Sequence, residues 1–137
     1  MKRILSIDGG GIRGVFPAAF LAALEEDLSR PLHEHFDLIA GTSTGGIIAI
    51  GIAMGLPAKD ILTLYEERGP EIFSQTASGL CGLAGRLARS AKWLTWGPKY
   101  DADGLKQALT DVLGERKIGD AKTRLMIPAW HPQMGAV

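Results

Sequence analysis

Two stretches decide the fold: Arg3-Ile4-Leu5-Ser6-Ile7-Asp8-Gly9-Gly10-Gly11-Ile12-Arg13-Gly14, and Phe36-Asp37-Leu38-Ile39-Ala40-Gly41-Thr42-Ser43-Thr44-Gly45-Gly46. Each starts as a short apolar run and breaks into glycine, the pattern of a buried strand that ends in a turn. Behind the first, Phe16, Phe20, Leu21, Leu24 and Leu28 recur at helical spacing, with Glu25, Glu26 and Asp27 on the other side and Pro17 tolerable in a first turn. This predicts a helix over 15–28 that Pro31 forbids from continuing. Behind the second, Thr44 to Met54 reads as a mostly buried helix that closes at Gly55.

Further along, Pro57 suits the first position of a third helix, with Ile61, Leu62, Leu64 and Tyr65 on its apolar side and an end near Gly69-Pro70. Residues 74–99 mix Gly, Ser and Ala with cations and tryptophans, and read as a loop containing a short amphipathic helix. Asp103 is placed to cap a fourth helix over 105–113. Residues 124–130 read as a third strand, which Pro128 sends to an edge or terminal position. Strands alternating with helices predict an α/β fold, a three-layer α/β/α arrangement around a mainly parallel sheet, with residues 1–137 forming part of a single domain.

Composition narrows the function classes. The chain has 137 residues, 46% hydrophobic and 22% charged, the range of one compact domain rather than a disordered or fibrous chain. Fifteen Lys+Arg balance fifteen Asp+Glu, so no long-range positive field recommends nucleic acid as a partner. Cys81 is the single cysteine and no leader-like segment opens the chain, which points to a reducing, cytoplasmic setting. The longest apolar stretch, 47–54, falls well short of the about 20 residues a bilayer span needs, so membrane would be met from its surface.

The glycine turns carry the chemistry. Gly9-x-Gly11-x-x-Gly14 matches the dinucleotide fingerprint, but the second strand closes in Ala40-Gly41 rather than in the acidic residue that would hold a ribose hydroxyl. What stands there is Gly41-Thr42-Ser43-Thr44-Gly45, a Gly-x-Ser-x-Gly nucleophile elbow between a strand and a helix. Small flanking residues let strand and helix approach while the turn projects the hydroxyl into a cleft. The start of the following helix directs unpaired N–H groups and the positive end of its dipole at the same spot. Ser43 as a plain helix cap is the competing reading. A parallel sheet brings both glycine turns to one rim, where Gly9, Gly10 and Gly11 can offer backbone donors to a carbonyl attacked by Ser43.

Asp8-Gly9-Gly10-Gly11-Ile12-Arg13-Gly14 followed by Gly41-Thr42-Ser43-Thr44-Gly45-Gly46 resembles the patatin-like phospholipases, and the segments 65–73 and 100–113 are similar to that family as well. A patatin domain is usually about twice as long as this chain or more, so the resemblance is to its N-terminal portion. It implies a lipid acyl hydrolase with Ser43 as the nucleophile of a Ser/Asp dyad, Gly9 to Gly11 as the oxyanion hole, and no cofactor or metal. Arg13 would order the first loop or meet a phosphate head group, and Thr44 would support the elbow.

The family's catalytic aspartate lies in a later Asp-Gly-Gly or Asp-Gly-Ala motif. The Asp-Gly pairs here are Asp8-Gly9, which belongs to the first loop, and Asp103-Gly104, read as a helix cap. The aspartate is therefore expected beyond residue 137. A histidine base is the other option, since Ser43, then Asp111 or Asp120, then His131 follows the chain order of α/β-hydrolase triads. His33 and His35 lie in a polar linker without the further ligands a metal would need, and all three histidines are read as ordinary structural residues.

Arg86, Arg89 and Lys92 beside Trp93 and Trp96 suit an interfacial helix on anionic lipid, and unpaired sheet edges suggest self-association or a complementing segment. Two other function classes compete. One is a catalytically incomplete remnant serving in assembly. The other is an actin-like phosphate-binding ATPase or sugar kinase, which leaves residues 41–46 unexplained.

Overall fold

The structure, a computed structural model, describes residues 1–73 and 102–129, with side chains described for 1–69 and 106–129. It contains strand β1 (Ile4–Ile7), a 3-10 turn (Gly11–Gly14), helix α1 (Val15–Asp27), strand β2 (Leu38–Gly41), helix α2 (Thr44–Ala53), helix α3 (Ala58–Phe73), helix α4 (Ala102–Leu113) and strand β3 (Arg124–Met126). The strands form one parallel sheet in the order β1-β2-β3, with Ile7 opposite Gly41 and Ala40 opposite Met126. The α/β class and the parallel sheet are those the sequence implies.

The core explains the register. Alternate strand residues face opposite sides, so Leu5, Ile7, Ile39 and Leu125 share the face on which the buried cluster is built. α2 is apolar all round and buried nearly throughout, including Ile48, Ala49, Ile52 and Ala53, as a helix enclosed by protein must be. α1 adds Ala18, Leu21 and Ala22 to the cluster, and α3 adds Ala58, Ile61 and Tyr65. Ile4 and Met126 point the other way and are 62% and 54% exposed, so among the described residues that sheet face is open.

Four local expectations need correction. Phe16 and Phe20 were expected on the apolar face of α1, yet both are largely exposed, and the helix packs instead through Ala18, Leu21 and Ala22. Small residues allow the close approach of α1 to α3, and the two phenylalanines belong to a second apolar face of the same helix. α3 does not stop at Gly69-Pro70 but runs to Phe73, since an internal proline removes one backbone bond that packing can offset. Asp103 lies inside α4, which starts at Ala102, so it is not the cap before Leu105. β3 ends at Met126, short of the expected Trp130, because Pro128 has no N–H to extend a ladder. Trp130 and the expected loop over 74–99 lie outside the described residues.

Glu25 holds the helical layer together in a way that its position on the polar side of α1 does not announce. One carboxylate oxygen accepts from the Leu32 amide at 3.1 Å and the other from the Ala58 amide at 2.6 Å, where α3 begins. Both amides open helical turns and lack intrahelical partners. Glu25→Ala is expected to lower unfolding free energy by about 3 kcal/mol, since two bonds to a charged group are lost and each contributes about 1.5–3 kcal/mol net of exchange with water, the lower end where the group is partly exposed. Urea unfolding of the variant checks it, and a midpoint equal to that of the parent would refute the role.

Candidate active site

Ser43 sits between β2 and α2 with φ 53° and ψ −124°, and it is the non-glycine residue with positive φ among the described residues. Its side chain makes no capping bond to α2, and its surface is exposed. A serine acting as a helix cap would have extended backbone and bond the second or third helical amide, so the capping reading is set aside. The carbonyl of Ser43 instead accepts from the Gly46 and Ile47 amides at 2.9 and 3.3 Å, locking the turn. Holding a residue in this region costs on the order of 1–3 kcal/mol, and such strain persists where surrounding structure over-determines it.

The neighbouring glycines supply the over-determination. A methyl at Gly41 would strike the Gly45 carbonyl, and one at Gly45 would strike the carbonyls of Ile7 and Asp8. These are backbone atoms that cannot swing aside. Strand and helix therefore meet at van der Waals contact around Ser43, as the sequence motif requires.

The first glycine turn lies against this elbow. A methyl at Gly9 would come within 2.7 Å of the Ser43 Cβ. The Gly9 amide donates to Thr42 Oγ1 at 3.2 Å, and the Gly10 amide donates to Thr44 Oγ1 at 3.0 Å. Gly11, at φ 60°, starts the 3-10 turn, which the Arg13 amide closes on the Gly10 carbonyl at 3.3 Å. Among the described residues the amides of Gly11 and Ile12 have no acceptor. The Arg13 side chain is exposed, and its stem lies beside Gly10. Ser43, Gly9, Gly10, Gly11, Arg13 and Thr44 thus gather on the carboxyl rim of the sheet.

Thr42 and Tyr65 belong to this assembly, and neither role was legible in sequence. Thr42 occupies a variable position of the Gly-x-Ser-x-Gly pattern, which by itself asks nothing of its side chain. Tyr65 looked like one more residue of an apolar helix face, and its hydroxyl was the available signal, since a buried phenol must find a partner. It donates to the Thr44 carbonyl at 2.8 Å, and its ring fills the space a side chain at Gly14 would take, with Cε1 2.7 Å from such a methyl.

Burial pushes the Tyr65 phenol well above the ordinary value of 10.0, against the lowering effect of its bond to Thr44. The folded state therefore holds the neutral form, and its stability is intact below pH 10 and declines as rising pH ionises the unfolded chain first. Tyr65 is expected to add no tyrosinate absorbance near pH 10 and to ionise only as the fold opens. Tyr65→Phe should remove that late step.

Other candidates are not brought to Ser43. Asp120 accepts from the Lys117 amide at 2.7 Å just ahead of β3, at the amino end of the sheet and so on the opposite rim. Asp111 lies 3.5 Å from the Arg68 guanidinium and accepts from Gln107 at 2.8 Å. The His35 ring is 3.1 Å from the Arg30 carbonyl. An open depression of about 620 Å³ also lies at the amino end, lined by Lys2, Phe36, Asp37, Lys122 and Arg124 among others. The Arg3 amide and then Lys2 hold the Asp37 carboxyl there below its ordinary range. Among the described residues no cluster of His, Cys, Asp or Glu is placed to hold a metal ion, and no helix is long and apolar enough to cross a membrane. His131, Cys81 and the Arg86, Arg89, Lys92, Trp93 and Trp96 patch lie outside the described residues.

The family model for patatin-like phospholipases matches residues 5–135. The chain belongs to that family. It is 44% identical over 132 residues to a cGAMP-activated phospholipase of Pseudomonas aeruginosa, a match that takes in 96% of this chain and 37% of the relative. It is 35% identical over 143 residues to patatin-like protein 2 of Oryza sativa, covering 95% of this chain and 34% of the relative. Patatin-T5 of Solanum tuberosum is 36% identical over 144 residues, again with 95% of this chain and 33% of the relative. The chain thus spans about a third of the length of these patatin relatives.

Proposed function

We propose that this chain carries the nucleophile half of a lipid acyl hydrolase of phospholipase A type. The observation that carries the reading is the exposed Ser43 at φ 53°, uncapped and pressed against the Gly9–Gly11 turn. The Ser43 hydroxyl adds to an ester carbonyl and gives its proton to a base, the tetrahedral intermediate expels the alcohol, and water then releases the fatty acid from the acyl-serine. The base is an aspartate contributed from beyond residue 137. In the oxyanion hole of Gly9, Gly10 and Gly11, Gly11 is the direct donor, since the amides of the other two are engaged by threonine hydroxyls. The amino end of α2 adds its dipole. Arg13, exposed beside the turn, meets the phosphate of the head group, and Thr44 supports the loop.

Labelling by a fluorophosphonate probe tests the reading without a choice of lipid. Labelling that disappears in Ser43→Ala supports it. A folded protein that stays unlabelled where the whole domain is present would favour the assembly-module alternative instead. The open sheet face with Ile4 and Met126 is the surface on which a complementing segment or a second copy packs. The likeness to a cGAMP-activated relative favours a second, compatible reading in which a cyclic dinucleotide switches the hydrolase on. Lipid hydrolysis measured with and without cGAMP separates the two.

A further inference from the structure

The threonines on either side of Ser43 do more than fit a tight turn. Thr44 is 3% exposed, and its hydroxyl takes the Gly10 amide at 3.0 Å while its carbonyl takes the Tyr65 hydroxyl at 2.8 Å. Thr42 takes the Gly9 amide at 3.2 Å, and its own amide donates to the Ile7 carbonyl at 3.2 Å, at the end of β1. The glycine turn is thus tied to the elbow at two successive amides, one on each side of the nucleophile. Glycine amides would otherwise leave the turn free to sample many conformations, because residues without Cβ lose most on ordering. Tyr65 completes the brace from below, its ring against Gly14 at the far end of the same turn.

We infer that Thr42 and Thr44 are positioning residues, braced by Tyr65, whose hydroxyls set the Gly9–Gly11 turn at a fixed distance and orientation from Ser43. The inference rests on the proposed nucleophile role of Ser43 for its catalytic meaning, but the brace itself is independent of that role. Preorganised donors stabilise charge because they need not reorganise during the reaction, and small displacements of such groups are costly. Each hydroxyl is matched to one amide, so the two threonines have separable effects.

Amide hydrogen exchange and probe labelling on Thr42→Val, Thr42→Ser, Thr44→Val and Thr44→Ser together test the inference. Valine keeps the shape and removes the acceptor, whereas serine keeps the acceptor. In Thr44→Val the Gly10 amide is expected to exchange about 5–10-fold faster while Gly9 is unchanged, and Thr42→Val should show the reverse, the size following from the net contribution of one hydrogen bond. Both serine variants should restore protection. The rate of fluorophosphonate labelling, or kcat with KM unchanged, should fall about 10-fold or more in each valine variant and recover in the serine variant. Unchanged Gly9 and Gly10 exchange in the valine variants overturns the brace. Altered exchange with an unaltered labelling rate overturns positioning. A parent protein that never labels defeats the nucleophile reading, and the exchange pattern still decides the brace.

Discussion

Ser43→Ala is expected to reduce ester hydrolysis by roughly 10⁴-fold or more, the loss typical of removing a covalent nucleophile whose partners remain in place. The remaining rate would come from the oxyanion donors and binding alone. The fold should survive, because the Ser43 side chain makes no capping bond and is exposed. Ser43→Gly sharpens the test. At φ 53° and ψ −124° glycine relieves strain worth on the order of 1–3 kcal/mol and gives back about 0.5–1 kcal/mol of added unfolded-state freedom. The glycine variant should therefore be inactive and as stable as the parent or more so, by up to about 2 kcal/mol in urea unfolding. A serine that only capped α2 would behave oppositely, with stability lost in Ser43→Ala and activity retained. Hydrolysis and unfolding measured on both variants decide between the two roles.

The second large effect falls on Gly45. A methyl there would meet the Ile7 and Asp8 carbonyls, backbone of the very strand and turn that carry Gly9 to Gly11. Neither side can yield without separating α2 from β1. Gly45→Ala is expected to destabilise the fold by about 3 kcal/mol, the upper part of the range for overpacking, and to abolish activity in whatever remains folded. Gly119→Ala is the control, because nothing lies within 4 Å of a methyl at that position. Its urea midpoint should match that of the parent within error. Equal midpoints for the two variants would remove the claim that strand and helix are in contact at the elbow.

The elements bearing the site were legible because each rests on local chemistry. β1, β2, α1 and α2 have observed bounds within a residue or two of those the apolar runs and glycine breaks predict. The elbow was legible for the same reason, since a strained turn between strand and helix needs glycine on both sides wherever it occurs. The less legible parts depend on neighbours. Whether Phe16 or Ala18 turns inward depends on how closely α3 approaches α1, and α3 passes Gly69-Pro70 because packing outweighs one missing backbone bond. Asp103 carries a capping residue's chemistry, but α4 begins ahead of it.

By itself the sequence determined a parallel α/β unit, its two glycine turns and the serine set in the second of them, because these follow from steric rules that act within a few residues. Only the tertiary structure decided which hydroxyl answers which amide. Thr42 with Gly9, Thr44 with Gly10, and Tyr65 with the Thr44 carbonyl join residues 21 to 34 positions apart, and Glu25 spans 33 positions to reach Ala58. A hydrogen bond has direction and a reach of about 3 Å, so its partners are set by how folded elements meet and leave no periodic trace in the chain.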